Sequence, residues 1–194
     1  ALLNRAMMNI YLGNFPSAQK DLSAVVTTYP LAREHPGVQF ANGLVQLQIK
    51  QYESARKALF QASEYSDNYP LTHYYLATID LEQGLVGSAM SNAYKFLGSV
   101  PGSVAGAKLA AKLELGQKAY GKAENLLLPV VAARPDDTEA LNLLASALQA
   151  QGEDAEAAAL LAKVAALQPD SIGTRARLGA ILLEAEADEQ GVQA

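Results

Sequence analysis

Between Thr138 and Ser171 the apolar residues fall on two helical faces separated by one glycine. Leu141, Leu144, Ala145 and Leu148 share one face of a first helix, because residues three and four apart stack along a helix. Gly152 supplies a turn in which a left-handed backbone costs little. Ala157, Leu161 and Val164 line a second helix. Gln168-Pro169-Asp170 ends it, since proline cannot continue the hydrogen-bond ladder and disfavours helix in the residue before it. The pattern predicts a helix hairpin.

The hairpin recurs. Pro101, Pro135 and Pro169 are evenly spaced, Ala55, Ala89, Ala123 and Ala157 repeat the same spacing, and Gly84 precedes Gly152 by twice that interval. A fixed period of this kind marks stacked units, none of which buries its apolar face alone. One step back, Ala107, Ala110 and Ala111 form the first face and Ala123, Leu127 and Val130 the second. The unit before carries Leu76, Ala77, Gly84, Ala89 and Pro101, and the one before that Gly43, Tyr52, Ala55, Leu59 and Ala62, with Asp67 where the closing proline would stand. The first unit is irregular. Ala18 lies further from Ala55 than the period allows, which places three extra residues in the connection Tyr29–Pro36, and Arg5 occupies a place where a large apolar residue is expected. After Ser171 a closing helix begins with Arg175, Leu178, Gly179 and Leu182. Pro129 inside a second helix should kink it or loosen its first turns.

This register resembles the tetratricopeptide repeat. That family sets a small residue in the eighth position of each unit, matched by Ala6, Gly43, Ala77, Ala111, Ala145 and Gly179, and alanine in the twentieth, matched by Ala18, Ala55, Ala89, Ala123 and Ala157. Both positions lie where two helices cross closely. The tryptophan of the fourth position is absent; His73, Ala107, Leu141 and Arg175 stand there. The expected fold is all-α, a right-handed α-solenoid of about five tetratricopeptide hairpins plus a closing helix, eleven helices in all. It forms one array over residues 1–194, with repeats at 1–33, 36–69, 70–103, 104–137 and 138–171 and the closing helix at 172–187.

From Pro36 to Ala187 the chain is also similar to one group within that family, the tetratricopeptide lipoproteins of the exosortase and PEP-CTERM sorting system in exopolysaccharide-producing Gram-negative bacteria. The stretches that carry the likeness are Thr72–Gly84, Lys95–Leu115, Leu126–Leu148 and Leu167–Gly179, with the phrases Tyr-Tyr-Leu-Ala, Phe-Leu-x-x-x-Pro and Pro-Asp-Asp. The resemblance implies a periplasmic, lipid-anchored parent protein of which this chain is a piece, the anchoring cysteine lying upstream. The opening Ala1-Leu2-Leu3, without an initiator methionine and already helical in pattern, fits a fragment.

Composition narrows the function. Half of the 194 residues are apolar and 18% are charged, and the formal net charge is −5. With no basic run, phosphate-backbone binding is disfavoured, and no nucleic-acid partner is expected. No apolar stretch approaches the roughly 20 residues that span a bilayer, so no direct membrane insertion of this piece is expected. Cysteine is absent, which removes disulfides and thiolate chemistry and leaves the compartment open.

No catalytic, cofactor or metal site is legible. His35 and His73 are the only histidines and have no ligand-spaced companions. Ser, Thr and Asp are scattered without a partnering base. Gly98, Gly102 and Gly106 straddle a helix end and the next start, which is turn chemistry. Glu153, Asp154 and Glu156 fall in a first helical turn, where negative charge offsets the macrodipole. Glu184, Glu186, Asp188 and Glu189 form an acidic tail on what is expected to be a solvated, fraying end.

The resemblance implies a concave groove lined by the second, fifth, ninth and twelfth residues of the first helices. In the N-terminal half these are Leu3, Met7, Ile10, Phe40, Leu44, Leu47, Tyr74 and Leu81. Two readings stand: an apolar partner site, or side chains buried between neighbouring helices. Further on the places hold Lys108, Lys112, Asn142, Ser146 and Gln149. Lys108 and Lys112, four apart on one face, are placed with Asn142 either to hold a peptide carboxylate, as in co-chaperone domains of the family, or as plain solvated lysines.

The expected function is a non-enzymatic protein-interaction scaffold of the bacterial envelope, in exopolysaccharide export or PEP-CTERM protein sorting, with a protein or peptide in the groove. A cytoplasmic adaptor or co-chaperone binding a peptide carboxylate is the alternative. The apolar residues Leu2, Met8 and Leu12 lack a polar cap, so either self-association through an end or a mobile first hairpin is also expected.

Overall fold

The computed structural model describes residues 1–65 and 69–192, with the side chains of Tyr65 and of residues 184–192 left aside. Asp67 and the acidic tail therefore lie outside the described side chains. Eleven α-helices occur among the described residues: α1 (Leu2–Tyr11), α2 (Phe15–Thr28), α3 (Pro36–Gln48), α4 (Tyr52–Tyr65), α5 (Leu71–Glu82), α6 (Val86–Ser99), α7 (Val104–Gly116), α8 (Tyr120–Ala133), α9 (Thr138–Gln151), α10 (Asp154–Leu167) and α11 (Ile172–Val192). They fall into two compact units, Ala1–Pro101 and Gly102–Ala194.

The extra residues between the first two hairpins form a short 3-10 helix, Pro30–Glu34. His35 then caps α3, its Nδ1 accepting the Gly37 N–H at 3.1 Å. Asn14, Ser103 and Asp137 cap α2, α7 and α9 in the same way, each satisfying an amide that has no partner within its helix.

In the first unit α1 packs on α2, α3 on α4 and α5 on α6, while α1 also meets α3 and α3 meets α5. Ala6 and Ala18 are fully buried at the first crossing, as are Ala55, Ala77 and Ala89 in the hairpins that follow. At Gly43 a Cβ would come 2.6 Å from Leu59 Cγ, so the α3–α4 axes approach more closely than alanine allows.

In the second unit α7 packs on α8, α8 on α9, α9 on α10 and α10 on α11, and α7 also meets α9. One core runs through it, built on Ala111, Ala123, Leu127, Leu144, Ala145, Ala157, Leu161 and Ile181. Pro129 sits inside α8 without loosening its first turns, which run as helix from Tyr120. The pyrrolidine lies on the exposed side, where water can take the carbonyl that proline leaves unpaired.

Each first helix up to α9 ends in one motif. Gly13, Lys50, Gly84, Lys118 and Gly152 all adopt positive φ, between 58° and 83°. The next residue's amide reaches back past the last helical turn, from Asn14, Gln51, Leu85, Ala119 and Glu153 to the carbonyls of Asn9, Gln46, Asp80, Glu114 and Leu148. This is the Schellman closure, which needs a left-handed residue at that place.

Candidate functional site

The first unit carries an apolar groove of about 460 Å³. Met7, Ile10 and Tyr11 of α1 form one wall and Phe15 begins α2 beside them. Phe40, Leu44, Leu47 and Gln48 of α3 form the floor, and Leu71 and Tyr75 of α5 close the far side. Among the described residues no charged side chain lines it.

The floor is fixed by aromatic packing. Phe40 lies 5.5 Å from Tyr69 and 6.0 Å from Tyr75 between ring centres, and Tyr75 meets Tyr74 edge-on at 5.5 Å. Such tilted and T-shaped pairs are each worth about 0.5–1.5 kcal/mol beyond the area they bury. Burial, and then the neighbouring Tyr74, push the Tyr75 phenol above its ordinary value, so the groove wall stays neutral at physiological pH.

Five residues expected in the groove are there: Met7, Ile10, Phe40, Leu44 and Leu47. Phe40 and Leu44 are buried, so they shape the floor more than they offer contact, whereas Tyr11 is 87% exposed at the rim. Leu3 instead packs into the α1–α3 core. Tyr74 and Leu81 do not line the groove. Tyr74 turns to α6, where its ring centre is 5.4 Å from that of Phe96, and its neighbour Tyr75 takes the wall. Leu71, in a second-position place, was legible from the register. Tyr11, Phe15, Gln48 and Tyr75 fall outside the expected positions.

The polar residues expected in the second half are, with one exception, engaged. Lys108 Nζ bonds Asp137 at 3.0 Å and also pairs with Glu139. Burial lowers the Lys108 pKa, but the two carboxylates outweigh it and raise it overall. Burial likewise pushes Asp137 up, and the Ala140 amide and Lys108 bring it below the usual range. Asn142 donates to the Thr138 carbonyl and Ser146 to the Asn142 carbonyl, both within α9. Gln149 accepts from Arg177. Lys112 is the exception and remains exposed. The pair of free ammonium groups expected on α7 is thus reduced to one, because carboxylates from the next hairpin neutralise the other.

Two buried carboxylates organise the first unit and were not anticipated. Asp21 takes both Arg5 Nε at 2.9 Å and Nη2 at 2.6 Å, with Asn9 at 3.1 Å. That pairing explains a cation at an apolar register place. Fully buried Asp80 accepts from Arg56 Nε at 2.8 Å, from Ser88 and from Asn92, which also meets His73. Both are satisfied ion-pair networks that tie helices together. Among the described residues no three metal-ligating side chains come together. No helix among them is long and apolar enough to cross a membrane.

Residues 4–71 and 114–178 each match a tetratricopeptide-repeat family. The chain carries tetratricopeptide repeats. Three solved structures are similar to it. MamA, residues 41 to end, from Desulfovibrio magneticus RS-1 is 21% identical with a TM-score of 0.74, over 81% of this chain and 89% of that one. YrrB, described as a tetratricopeptide-repeat protein with an unusual peptide-binding site, is 13% identical with a TM-score of 0.72, over 96% and 90%. A tetratricopeptide-repeat protein from Parabacteroides merdae is 18% identical with a TM-score of 0.76, over 98% and 77%. These likenesses show the fold: an all-α tetratricopeptide solenoid. No curated protein matches the chain. Tetratricopeptide proteins generally act as scaffolds that bind proteins or peptides.

Proposed function

We propose that this chain is a non-enzymatic scaffold that holds an apolar segment of a partner protein in the α1–α5 groove. The observation that carries the reading is a concave lining, apolar among the described residues, with a fixed aromatic floor and an exposed rim at Tyr11. Preorganised apolar pockets of this size supply most of the energy in partner binding, with few polar groups needed for orientation. A peptide-binding site is described for YrrB, which shares the fold. The carboxylate-reading alternative is not favoured, because Asp137 and Glu139 already occupy Lys108.

The compartment we infer is the bacterial envelope, with the parent protein lipid-anchored in the periplasm and acting in exopolysaccharide export or PEP-CTERM protein sorting. That inference is supported by the sequence phrases between Thr72 and Gly179. Two measurements test the two parts separately. Cell fractionation with fatty-acid labelling of the parent protein should place it in the membrane fraction and label it; an unlabelled cytoplasmic protein overturns the envelope assignment. Capture from that fraction should lose its partner when Leu47→Glu puts a charge in the groove, and equal capture by the variant overturns the groove.

A further inference from the structure

The lining of the α1–α5 groove is built of helical ridges. Met7 and Tyr11 stand four apart on α1, Leu71 and Tyr75 four apart on α5, and Phe40, Leu44 and Gln48 repeat that spacing along α3. Rows of this kind are what the side chains of another helix pack between. Both walls are helices of the first unit, so the opening lies within it. Its width suits one helix. α1 and α5 each pack on α3. Two helices on a common third stand at most about 16–20 Å apart between axes, since each contact sets about 8–10 Å. A helix with its side chains measures about 10–12 Å across.

The polar groups of the lining separate a helix from an extended chain. Every lining residue belongs to a helix, so no strand edge is offered to a partner. Among the described residues the polar side-chain groups there are the Tyr11 and Tyr75 hydroxyls and the Gln48 amide. The floor from Phe40 to Gln48 is about 12 Å long at the rise of a helix. An extended segment would lay about four residues along it. The N–H and C=O groups it turned toward the floor would meet apolar side chains and lose their water without gaining partners. A helix spends those groups on itself and presents side chains alone.

We propose, on the reading that this groove is the partner site, that its occupant is one amphipathic α-helix of a partner protein, seated along α3 between α1 and α5. The contact stripe of that helix carries large apolar residues at three- and four-residue spacing. It carries no charge, because the lining offers a charge no counter-ion among the described residues. Phe40 and Leu44 are buried and fixed, so the stripe meets the half-buried Met7, Ile10 and Leu47 and the exposed Tyr11.

Two displayed peptide libraries of about 15 residues, roughly four helical turns, test this. One carries its apolar residues at helical spacing and the other at every second place, and both are selected on the 194-residue chain. The helical library should yield binders that lose about tenfold or more in affinity with proline at their centre. Leu47→Glu should weaken them as much, and so should Tyr11→Glu, which alters an 87% exposed rim residue and should leave the helical circular dichroism unchanged. Binders from the alternating library that Leu47→Glu abolishes would keep the groove and overturn the helix. Enrichment of neither library, or binders indifferent to both variants, would overturn the groove reading and the helix together. Self-association of the chain that Leu47→Glu abolishes would make a second copy the occupant and overturn the partner helix.

Discussion

Lys118 lies one repeat after Gly84 and holds the same left-handed backbone, φ 59° against 72°. The Schellman closure imposes that conformation, and a lysine Cβ makes it unfavourable by about 1–2 kcal/mol. Lys118→Gly should therefore stabilise the second unit by about 1 kcal/mol. Gly84→Ala should destabilise the first by a similar amount, since its Cβ would meet no atom within 4 Å and the backbone alone is strained. Denaturant unfolding of both variants checks the pair of opposite signs.

Gly43 poses a contest between propensity and packing. Alanine in a helix interior is favoured over glycine by about 1 kcal/mol. Here its Cβ would lie 2.6 Å from Leu59 Cγ and 2.8 Å from Cδ2, so α3 and α4 would have to separate. Overpacking of this kind costs about 1–3 kcal/mol, and Gly43→Ala should come out destabilised. Ala123→Leu, at a fully buried crossing in the second unit, should lose about the same. Thermal unfolding of each variant decides it.

The Arg5–Asp21 pair should appear in the pH dependence. The Arg5 hydrogen bond holds the Asp21 carboxyl below its ordinary value, against the opposing effect of burial. A carboxyl lowered on folding contributes fully above its unfolded pKa of about 3.9 and loses that contribution as pH falls through the folded value. Asp21→Asn should be less stable than wild type at pH 7, and the gap should narrow as pH drops below about 4. Urea titrations at the two pH values measure it.

The array was legible because its signals are local and repeated. Ala55, Ala89, Ala123 and Ala157 mark the crossings, and Gly84 and Gly152 mark the turns. Lys50 and Lys118 occupy the same turn yet carry no compositional sign of a positive φ; their place in the register alone reveals it. The groove was legible on α1 and α3, where spacing decides which side chains share a face. It was misread on α5, because Tyr74 and Tyr75 are adjacent tyrosines and only Phe96, on the other helix of the hairpin, decides which of them turns inward. Lys108 was misread for a related reason. Spacing along α7 carries no information on Asp137 and Glu139, which arrive from the start of the next hairpin.

Site-specific photocrosslinking addresses the groove most directly. A photoreactive residue would replace Tyr11 at the groove rim, Lys112 on α7 and Phe60 on the exposed side of α4, and each protein would be incubated with envelope extract. The scaffold reading predicts one partner band from position 11, abolished by Leu47→Glu in the same chain, and none from 60 or 112. A partner that crosslinks from position 60 or 112 while position 11 stays silent would contradict it.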